Sequence, residues 1–202
     1  RDCTSGSLDG NTNAGGSDLF VVKYNSSGGK QWTRQLGTYS QWYGEGITVD
    51  NSGSVYITGS MSDRDSSLSP EQLNFDGNTH LGCEDILIVK YSTNGEKLWS
   101  QLFGTTDCDY GDGIVSDREG NIYVTGWTYG SLEGYTETES AYGLSLILVK
   151  YDTRGQKKWH RQFNDYREGR DIEIDSEGNI YVNTSQKLLK CNPKNKLSLI
   201  HI

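Results

Sequence analysis

The sequence is poor in proline, methionine and histidine, and it contains no long apolar run. Its 202 residues include 2 Pro, 1 Met and 3 His. No apolar stretch approaches the roughly 20 residues that a membrane helix needs, so we expect no membrane span. The net charge is −8 and no basic run appears. Because such a surface repels a phosphate backbone, we do not expect nucleic acid as a partner.

Motifs for catalysis and for zinc are also missing. The four cysteines form no CxxC pair and lie near no histidine cluster, so a zinc site has little support. None of the histidines lies in a Ser-His-Asp or HExxH pattern, and no glycine-rich loop precedes a helix. We therefore predict no catalytic residues and a protein that is not an enzyme. Residue 1 is Arg rather than Met, so the chain is interpreted as processed or as a piece of a longer protein.

Glycine and aromatic residues are plentiful, with 25 Gly, 13 Tyr and 5 Trp, and they recur in a pattern. The segment "DLFVVKYNSSGGKQW" returns as "DILIVKYSTNGEKLW" and as "SLILVKYDTRGQKKW". A second segment, "GITVDNSGSVYITG", also returns twice, as "GIVSDREGNIYVTG" and "DIEIDSEGNIYVNT". The first segments begin at residues 18, 85 and 145, and the second segments at residues 46, 113 and 171.

Each repeat predicts four antiparallel strands. "LFVVKY" is the short, nearly continuous apolar run of a strand buried on both faces, and a glycine turn joins it to "QWTRQL". "GITVD" and "VYITG" form a second hairpin around "NSGS". Four such strands at a period of about 60 residues predict an all-β fold, a beta-propeller of four-stranded antiparallel blades. The predicted units are an inter-blade loop at 1–17, blade 1 at 18–60, blade 2 at 85–127, blade 3 at 145–184 and a half blade at 187–202.

About three and a half blades leave the ring unfinished, since a closed propeller usually needs at least four. We expect the chain to be part of a larger propeller, and the alternative is a homodimer that completes one ring. The links from strand 2 to strand 3 and from strand 4 to strand 1 are the long and variable ones. In an up-and-down blade these links share one face, which is where binding is expected.

Residues 6–38, "GSLDGNTNAGGSDLFVVKYNSSGGKQWTRQLGT", together with "GITVDNSGSVYITG", closely resemble the bacterial SBBP-type beta-propeller repeat. The third unit departs from the pattern, because "GSLEGYTETESAYGLS" replaces the DGNTN loop. The resemblance implies a propeller within a long exported or surface-associated protein that has interaction roles. It implies an extracellular or cell-surface location and no established catalytic activity.

The loop "DGNTNAGGSD" is a candidate cation site. It places oxygen-bearing side chains at relative positions 1, 3, 5 and 10, and alternate oxygens in a glycine-rich loop can surround calcium. No glutamate stands at position 12, and the alternative is a polar loop held by Asx-turns. Calcium is the one cofactor that the sequence suggests. The candidate ligands are Asp9, Asn11, Asn13 and Asp18 in the first unit, and Asp76, Asn78 and Asp85 in the second, where His80 is the weak member.

Aromatic residues on the variable links suggest a binding face. Exposed rings beside carboxylates suit sugar or peptide binding, since a flat ring stacks on a sugar face while acids accept from its hydroxyls. The repeated Trp and the Tyr of "VKY" are instead interpreted as packing between blades. We place strand 1 in the inner hairpin, where its repeated lysine would line the axis or pair with nearby aspartates. The candidate ligand-binding residues are Trp42, Tyr43, Tyr110, Trp127 and Tyr129.

These observations predict a non-enzymatic scaffold that binds a protein or glycan ligand through the face of the variable links. A lectin-like glycan-binding module and a metal-dependent hydrolase or lactonase are the alternatives. Cys83 and Cys108 both lie on connectors of the second unit, so a disulfide between them is geometrically reasonable. A bond between Cys3 and Cys191 requires the chain ends to meet.

Overall fold

The protein is built from β-strands throughout the part of the chain that its structure describes. The computed structural model describes residues 3–4, 6–62, 69, 74–135, 143–191 and 197–199. The strands are β1 (Cys3–Thr4), β2 (Asp18–Tyr24), β3 (Lys30–Leu36), β4 (Gln41–Val49), β5 (Val55–Ser62), β6 (Glu84–Tyr91), β7 (Lys97–Phe103), β8 (Asp109–Ser116), β9 (Ile122–Thr128), β10 (Ser145–Tyr151), β11 (Lys157–Phe163), β12 (Gly169–Ile174), β13 (Ile180–Thr184), β14 (Leu188–Cys191) and β15 (Leu197–Leu199). No helix in these residues is long and apolar enough to cross a membrane.

The strands form four antiparallel sheets that follow one another along the chain. Sheet 1 has the order β1-β2-β3, sheet 2 β4-β5-β6-β7, sheet 3 β8-β9-β10-β11 and sheet 4 β12-β13-β14-β15. The first strands of neighbouring sheets meet, since β4 packs against β8 and β8 against β12. This arrangement of sheets around shared inner strands confirms the predicted all-β propeller architecture.

The predicted grouping of strands into blades is wrong by half a blade. Blade 1 at 18–60 joins β2 and β3 to β4 and β5, but the hydrogen bonds join β4 and β5 to β6 and β7. The proposed blades at 85–127 and 145–184 cross sheet boundaries in the same way. The predicted half blade at 187–202 is wrong as well, because β14 belongs to sheet 4. The predicted loop at 1–17 contains a strand, β1, which pairs with β2. A repeat read from sequence has no marked start, so periodicity alone does not choose between the two groupings.

The same offset moves the "VKY" hairpin away from the axis. In sheet 2 the inner strand is β4, while β6 and β7 are the third and fourth strands. Lys90 on β6 therefore does not line the axis. Its Nζ donates to the Thr153 carbonyl at 3.1 Å and lies 3.9 Å from Asp50 Oδ2. Lys150 lies 3.6 Å from Asp117, so the pairing with aspartates is the correct interpretation.

Apolar side chains fill the spaces between successive sheets. One cluster joins sheets 1 and 2, a second joins sheets 2 and 3, and a third joins sheets 3 and 4. Every residue of β6 is buried, because alternate side chains serve the two neighbouring interfaces. This explains the continuous apolar run, since a strand between two such interfaces has no solvent face.

The repeated tryptophans connect one sheet to the next. Trp32 on β3 donates its indole N–H to the Thr93 carbonyl at 3.0 Å, and Trp99 on β7 donates to the Thr153 carbonyl at 3.1 Å. Each carbonyl belongs to the tight turn of the following sheet. The turn glycine Gly155 lies under the indole of Trp99. The structural interpretation of these tryptophans is therefore confirmed.

Substitution of Gly155 by alanine is expected to destabilise the protein by about 2 kcal/mol. The backbone conformation would be strained, and the added methyl group would clash with a neighbouring side chain. Gly155 has a φ of +79°, and an added Cβ would lie 2.9 Å from the indole of Trp99. Gly28 is the matched control, because its φ is +78° and an added Cβ would meet nothing within 4 Å. Urea unfolding would give the loss in free energy of unfolding for each variant, and the difference between the two losses would measure the cost of the contact with Trp99. Equal losses in both variants would contradict this role of Gly155.

Candidate binding face

Long connectors gather at one end of the sheets, as the sequence predicts. Tight turns join β4 to β5 and β6 to β7 at one end of sheet 2, and the β5–β6 and β7–β8 connections emerge at the other. We call this second end the connector face. Parts of its longest links, residues 63–68, 70–73 and 136–142, lie outside the described residues. The described residues of this face hold an aromatic cluster, a row of bulges and a buried pair of carboxyl groups.

Three of the predicted ligand-binding residues come together in the aromatic cluster. Tyr110 and Trp127 are a cross-strand pair of β8 and β9, and their rings stack with centroids 3.9 Å apart and planes 16° apart. Tyr129 meets the Trp127 ring edge-on at 5.3 Å and is 53% exposed. Stacked and edge-on pairs hold rings in fixed orientations. The cluster is therefore a preformed aromatic surface at the connector end of sheet 3.

The prediction for Trp42 is wrong, and Tyr43 lies apart from this arrangement. Trp42 is 0% exposed and packs edge-on against Phe75 at 4.5 Å, while its indole N–H donates to Thr38 Oγ1 at 3.2 Å. It is a core residue, because Phe75 from the β5–β6 connector packs on its ring. The Tyr43 hydroxyl donates to Gln41 Oε1, and its cross-strand partner is Ser60 rather than an aromatic residue.

Each inner strand carries a β-bulge near the connector face. The register shifts between Gly44 and Gly46 in β4 and between Gly111 and Gly113 in β8, and β12 has a corresponding shift after Gly169. A bulge leaves one residue out of the ladder and redirects its side chain, often beside a functional site. The three bulge residues are Glu45, Asp112 and Arg170.

The bulges lie next to one another because glycine lets the inner strands approach closely. A Cβ added at Gly46 would lie 2.7 Å from the Asp112 carbonyl oxygen, and one added at Gly113 would lie 3.0 Å from the Asp171 Cα. The "YGxG" motif is thus a device for strand bending and packing. It brings two acidic residues and the Arg170–Glu168 ion pair, at 2.8 Å, to the connector end of the inner strands.

Two buried carboxyl groups meet between sheets 2 and 3. Asp85, on β6, and Asp109, at the start of β8, are both 0% exposed. The point where a Gly104 Cβ would be is 2.6 Å from Asp85 Oδ1 and 2.5 Å from Asp109 Oδ2, so the two oxygens are at most about twice that distance apart. Gly104 provides the space that both groups occupy.

The hydrogen bonds of this pair are unequal. Asp109 Oδ2 accepts from the Thr105 backbone N–H at 2.6 Å, and Asp85 Oδ2 accepts from the Leu81 N–H at 2.7 Å. Asp85 Oδ1 is buried without a hydrogen-bond partner. Burial raises the pKa of Asp109 to about 6; the nearby Asp85 charge contributes to this rise, and hydrogen bonds from Thr105 and Thr128 oppose it. Burial also raises the pKa of Asp85, against the opposing effect of His80.

A disulfide joins Cys83 to Cys108 beside this carboxyl pair. It links the residue before β6 to the residue before β8, so it connects sheet 2 to sheet 3. The Cys108 carbonyl also accepts from the Tyr129 backbone N–H at 3.1 Å, which ties the disulfide to the aromatic cluster. The predicted Cys83–Cys108 bond is present. The Cys191 side chain is buried, and burial raises the pKa of its thiol, while the side chain of Cys3 lies outside the described residues.

The first loop proposed for calcium uses its side chains within the protein. Asp9 Oδ2 accepts from Lys30 Nζ at 2.6 Å and from Thr33 Oγ1 at 2.5 Å. These hydrogen bonds lower the pKa of Asp9. Asp18 is directed elsewhere, because its Oδ2 accepts from the Ala14 N–H at 3.1 Å and from Gln35 Nε2 at 2.9 Å. The remaining members stabilise the loop backbone, as Asn11 donates to the Leu8 carbonyl and Asn13 accepts from the Gly15 N–H.

The second loop repeats this arrangement. Asp76 pairs with Lys97 at 2.6 Å and accepts from Ser100, while Asn78 donates to the Phe75 carbonyl. His80 Nε2 lies 3.1 Å from the Met61 carbonyl and 3.9 Å from Asp85. No group of three His, Cys, Asp or Glu side chains among the described residues is placed to hold a metal ion. Calcium binding stays a hypothesis that this geometry does not support.

Two members of the face, Asp109 and Glu84, are not among the site residues predicted from the sequence. Both are buried acidic residues, at 0% and 1% exposure, and each adjoins a cysteine of the disulfide. Asp109 stands where the first unit has Trp42, so it falls outside the repeated pattern. An acidic residue that replaces a core aromatic at one repeat position was the available signal.

The architecture described above is that of a partial β-propeller. Two segments of the chain, residues 31–60 and 98–133, match the family model of the SBBP beta-propeller repeat. The resemblance that the sequence suggested is confirmed.

Two curated proteins are similar to most of the chain. The regulatory protein FlaEY of Caulobacter vibrioides is 26% identical over 192 residues, which cover 92% of this chain and 20% of that protein. The uncharacterized WD repeat-containing protein L264 of Acanthamoeba polyphaga mimivirus is 22% identical over 221 residues, which cover 86% of this chain and 16% of that protein. The chain thus spans a fifth or less of the length of these relatives.

Two solved structures are similar to the chain, and the first of them shares its fold. A protein of unknown function from Bacteroides caccae superposes with a TM-score of 0.52 at 11% identity, over 90% of this chain and 56% of that one. A streptogramin B lyase structure has a TM-score of 0.49 at 13% identity, over 100% of this chain and 54% of that one. Similarities of this size concern the fold alone.

Proposed function

We propose that the chain is a non-enzymatic propeller module that binds a partner through its connector face. The observation that carries the proposal is the aromatic cluster of Tyr110, Trp127 and Tyr129. Two of its rings are stacked at 3.9 Å, so little side-chain freedom is lost when a ligand binds. The cluster also lies among variable connectors on a rigid scaffold, which is where binding residues concentrate.

The chemistry of the face suits a ligand with both flat apolar surface and polar groups. Exposed Tyr129 offers a ring face and a hydroxyl, and the half-buried Asp112 follows Tyr110 closely on β8. A protein segment is the partner we favour, because enriched Tyr and Trp are typical of protein interfaces. A lectin-like module is the second candidate, since the same exposed aromatic ring could stack on a sugar.

We further propose that the parent protein is exported or displayed at the cell surface. The Cys83–Cys108 bond supports this location, because disulfides persist in oxidising compartments and are rare in the cytosol. No calcium is required by the proposed function. A metal-dependent hydrolase or lactonase has no specific observation in its favour.

Alanine at Trp127 is expected to weaken binding about tenfold, because a ring of this kind contributes roughly 1–2 kcal/mol through stacking. The probes are a random peptide display library and a glycan array, each screened with the disulfide-bonded protein. Peptide ligands alone support the favoured partner, and glycan ligands alone support the lectin-like candidate. Tyr24→Ala is the control, because Tyr24 is 59% exposed and ends β2 at the turn end of sheet 1. Ligands that bind Trp127→Ala and the wild type equally would overturn the proposed site, and so would the absence of ligands in both screens.

A further inference from the structure

Aromatic rings at several repeat positions of this protein carry a cation of the same chain. The Arg34 guanidinium lies over the Trp32 ring, 5.6 Å from its centroid, and the Arg161 guanidinium lies over the Trp159 ring at 5.7 Å. Lysine ammonium groups lie over three further rings, those of Tyr56, Tyr123 and Tyr181. A cation over a ring is attracted by the negative face of the ring.

The aromatic cluster of the connector face differs in this respect. In the part of the chain that the structure describes, no Lys or Arg lies over the ring of Trp127 or Tyr129. Tyr129 is exposed and Trp127 is half-buried. These two rings therefore leave aromatic surface open to a cation that comes from another molecule.

An exposed carboxylate lies beside the cluster. Asp107 Oδ2 is 3.1 Å from the point where a Cβ of Gly130 would be, and Gly130 directly follows Tyr129. The next residue, Cys108, accepts from the Tyr129 N–H and is held by the disulfide, so the loop of Asp107 is fixed against the cluster. No described Lys, Arg or His forms an ion pair with this carboxylate.

The charge of the surrounding connectors has the same sign as Asp107. The connectors of sheets 2 and 3 contain eight acidic residues and a single Lys or Arg, which is Arg64. These connectors are residues 63–83, 104–108 and 129–144. Lysines stand instead at the opposite end of these sheets, where Lys90 and Lys150 precede the tight turns. The connector end of sheets 2 and 3 therefore attracts cationic groups.

We infer that the connector face binds a protein segment through an arginine, whose guanidinium stacks on the exposed ring of Tyr129 and pairs with Asp107. This inference rests on the proposed function and names the chemistry of its partner. A guanidinium is planar and weakly hydrated, so it can stack on a ring while its N–H groups donate to a carboxylate. The ammonium of lysine is compact and strongly hydrated, which makes it the poorer fit.

The first test is the composition of the peptides that the protein selects from a random display library. With the wild type, arginine should be enriched several-fold over the unselected library, and aspartate and glutamate should be depleted. With Asp107→Asn as the selecting protein, the enrichment of arginine should fall to near that of the unselected library. Asp165→Asn is the matched control, because Asp165 is an exposed aspartate of the β11–β12 connector, and it should leave the enrichment unchanged.

The second test replaces the arginine of a selected peptide by citrulline, which keeps the shape of the side chain and removes its charge. Its dissociation constant for the wild type should rise about tenfold, because the ion pair and the contact with the ring are both lost. Asp107→Asn should weaken the original peptide about threefold, since an exposed ion pair contributes less. The citrulline peptide should bind Asp107→Asn and the wild type equally.

The outcomes separate this inference from the proposed function. Peptides that lose binding with Trp127→Ala but show no enrichment of arginine would overturn the inference and leave the proposed function standing. Arginine peptides that bind Asp107→Asn and Asp165→Asn equally well would also overturn it, and so would a face that binds glycans alone. If neither screen yields a ligand, the proposed function fails and the inference fails with it.

Discussion

Loss of the Cys83–Cys108 disulfide is expected to lower the free energy of unfolding by about 3 kcal/mol. The bond closes a chain segment with a sequence separation of 25, and in the chain-entropy account a loop of this size restricts the unfolded state by roughly that amount. The bond also joins sheet 2 to sheet 3 beside buried carboxyl groups that repel each other. The reduced protein should therefore separate first at this junction.

The measurement is urea unfolding of the wild type and of the Cys83→Ser/Cys108→Ser variant, each with and without a phosphine reductant. The reductant should destabilise the wild type to the level of the variant and leave the variant unchanged. The Cys108 carbonyl accepts a hydrogen bond from the Tyr129 N–H. Reduction of the disulfide should therefore also lower the affinity of the aromatic cluster for a ligand. Four thiols in the native protein, found by mass spectrometry after alkylation, would contradict the bond itself.

The fold could be predicted from the sequence because its signals are local and repeated. The apolar run that became β6 specifies a strand buried on both faces, and the glycine of the following turn specifies where it reverses. Together with the period, these features were enough for an all-β propeller and for one face of variable connectors. They describe strands and hairpins, however, and not which hairpins share a sheet.

The grouping of hairpins is decided by contacts that are distant along the chain. β5 pairs with β6, although residues 63–83 separate the two strands along the chain. No local signal in the sequence distinguishes this pairing from a pairing of β3 with β4. The grouping of strands also determines where individual side chains lie. Once β4 is an inner strand, Lys90 lies away from the axis.

The candidate site could be predicted only in part for a related reason. Tyr110 and Trp127 were identified because both are aromatic and both adjoin a connector, but their stacking depends on the register of β8 and β9. Trp42 had the same local appearance and is a core residue, because Phe75 from a distant connector packs on it. Burial of this kind depends on tertiary contacts that the local sequence does not specify.

Asp109 is expected to make the protein less stable as the pH rises from about 4 to about 6. Its folded-state pKa of about 6 lies above the ordinary value of 3.8, so the folded state binds the proton more tightly than the unfolded state does. The stabilisation is fully present below pH 4 and is lost as the pH passes 6. At 1.36 kcal/mol for each pKa unit, the loss is about 3 kcal/mol.

Other groups act in a different range of pH. The pKa of Asp175 is lowered to about 2 by hydrogen bonds, chiefly from the Asn179 side chain. Its stabilisation is present above pH 4 and is lost as the pH falls toward 2. The buried groups that face or adjoin Asp109 are Asp85, Glu84 and His80. Because burial also raises the pKa of Asp85, that residue contributes with the same sign as Asp109.

Asp109→Asn isolates the effect. The amide keeps the shape of the side chain, can accept from the Thr105 N–H, and can donate toward Asp85 Oδ1, which otherwise has no hydrogen-bond partner. Urea unfolding should show the variant gaining about 3 kcal/mol on the wild type between pH 4 and pH 7. Asp107→Asn is the control, because this neighbouring aspartate is exposed and its substitution should leave the pH dependence unchanged. Parallel pH profiles for the wild type and Asp109→Asn would contradict the raised pKa of Asp109 in the folded state.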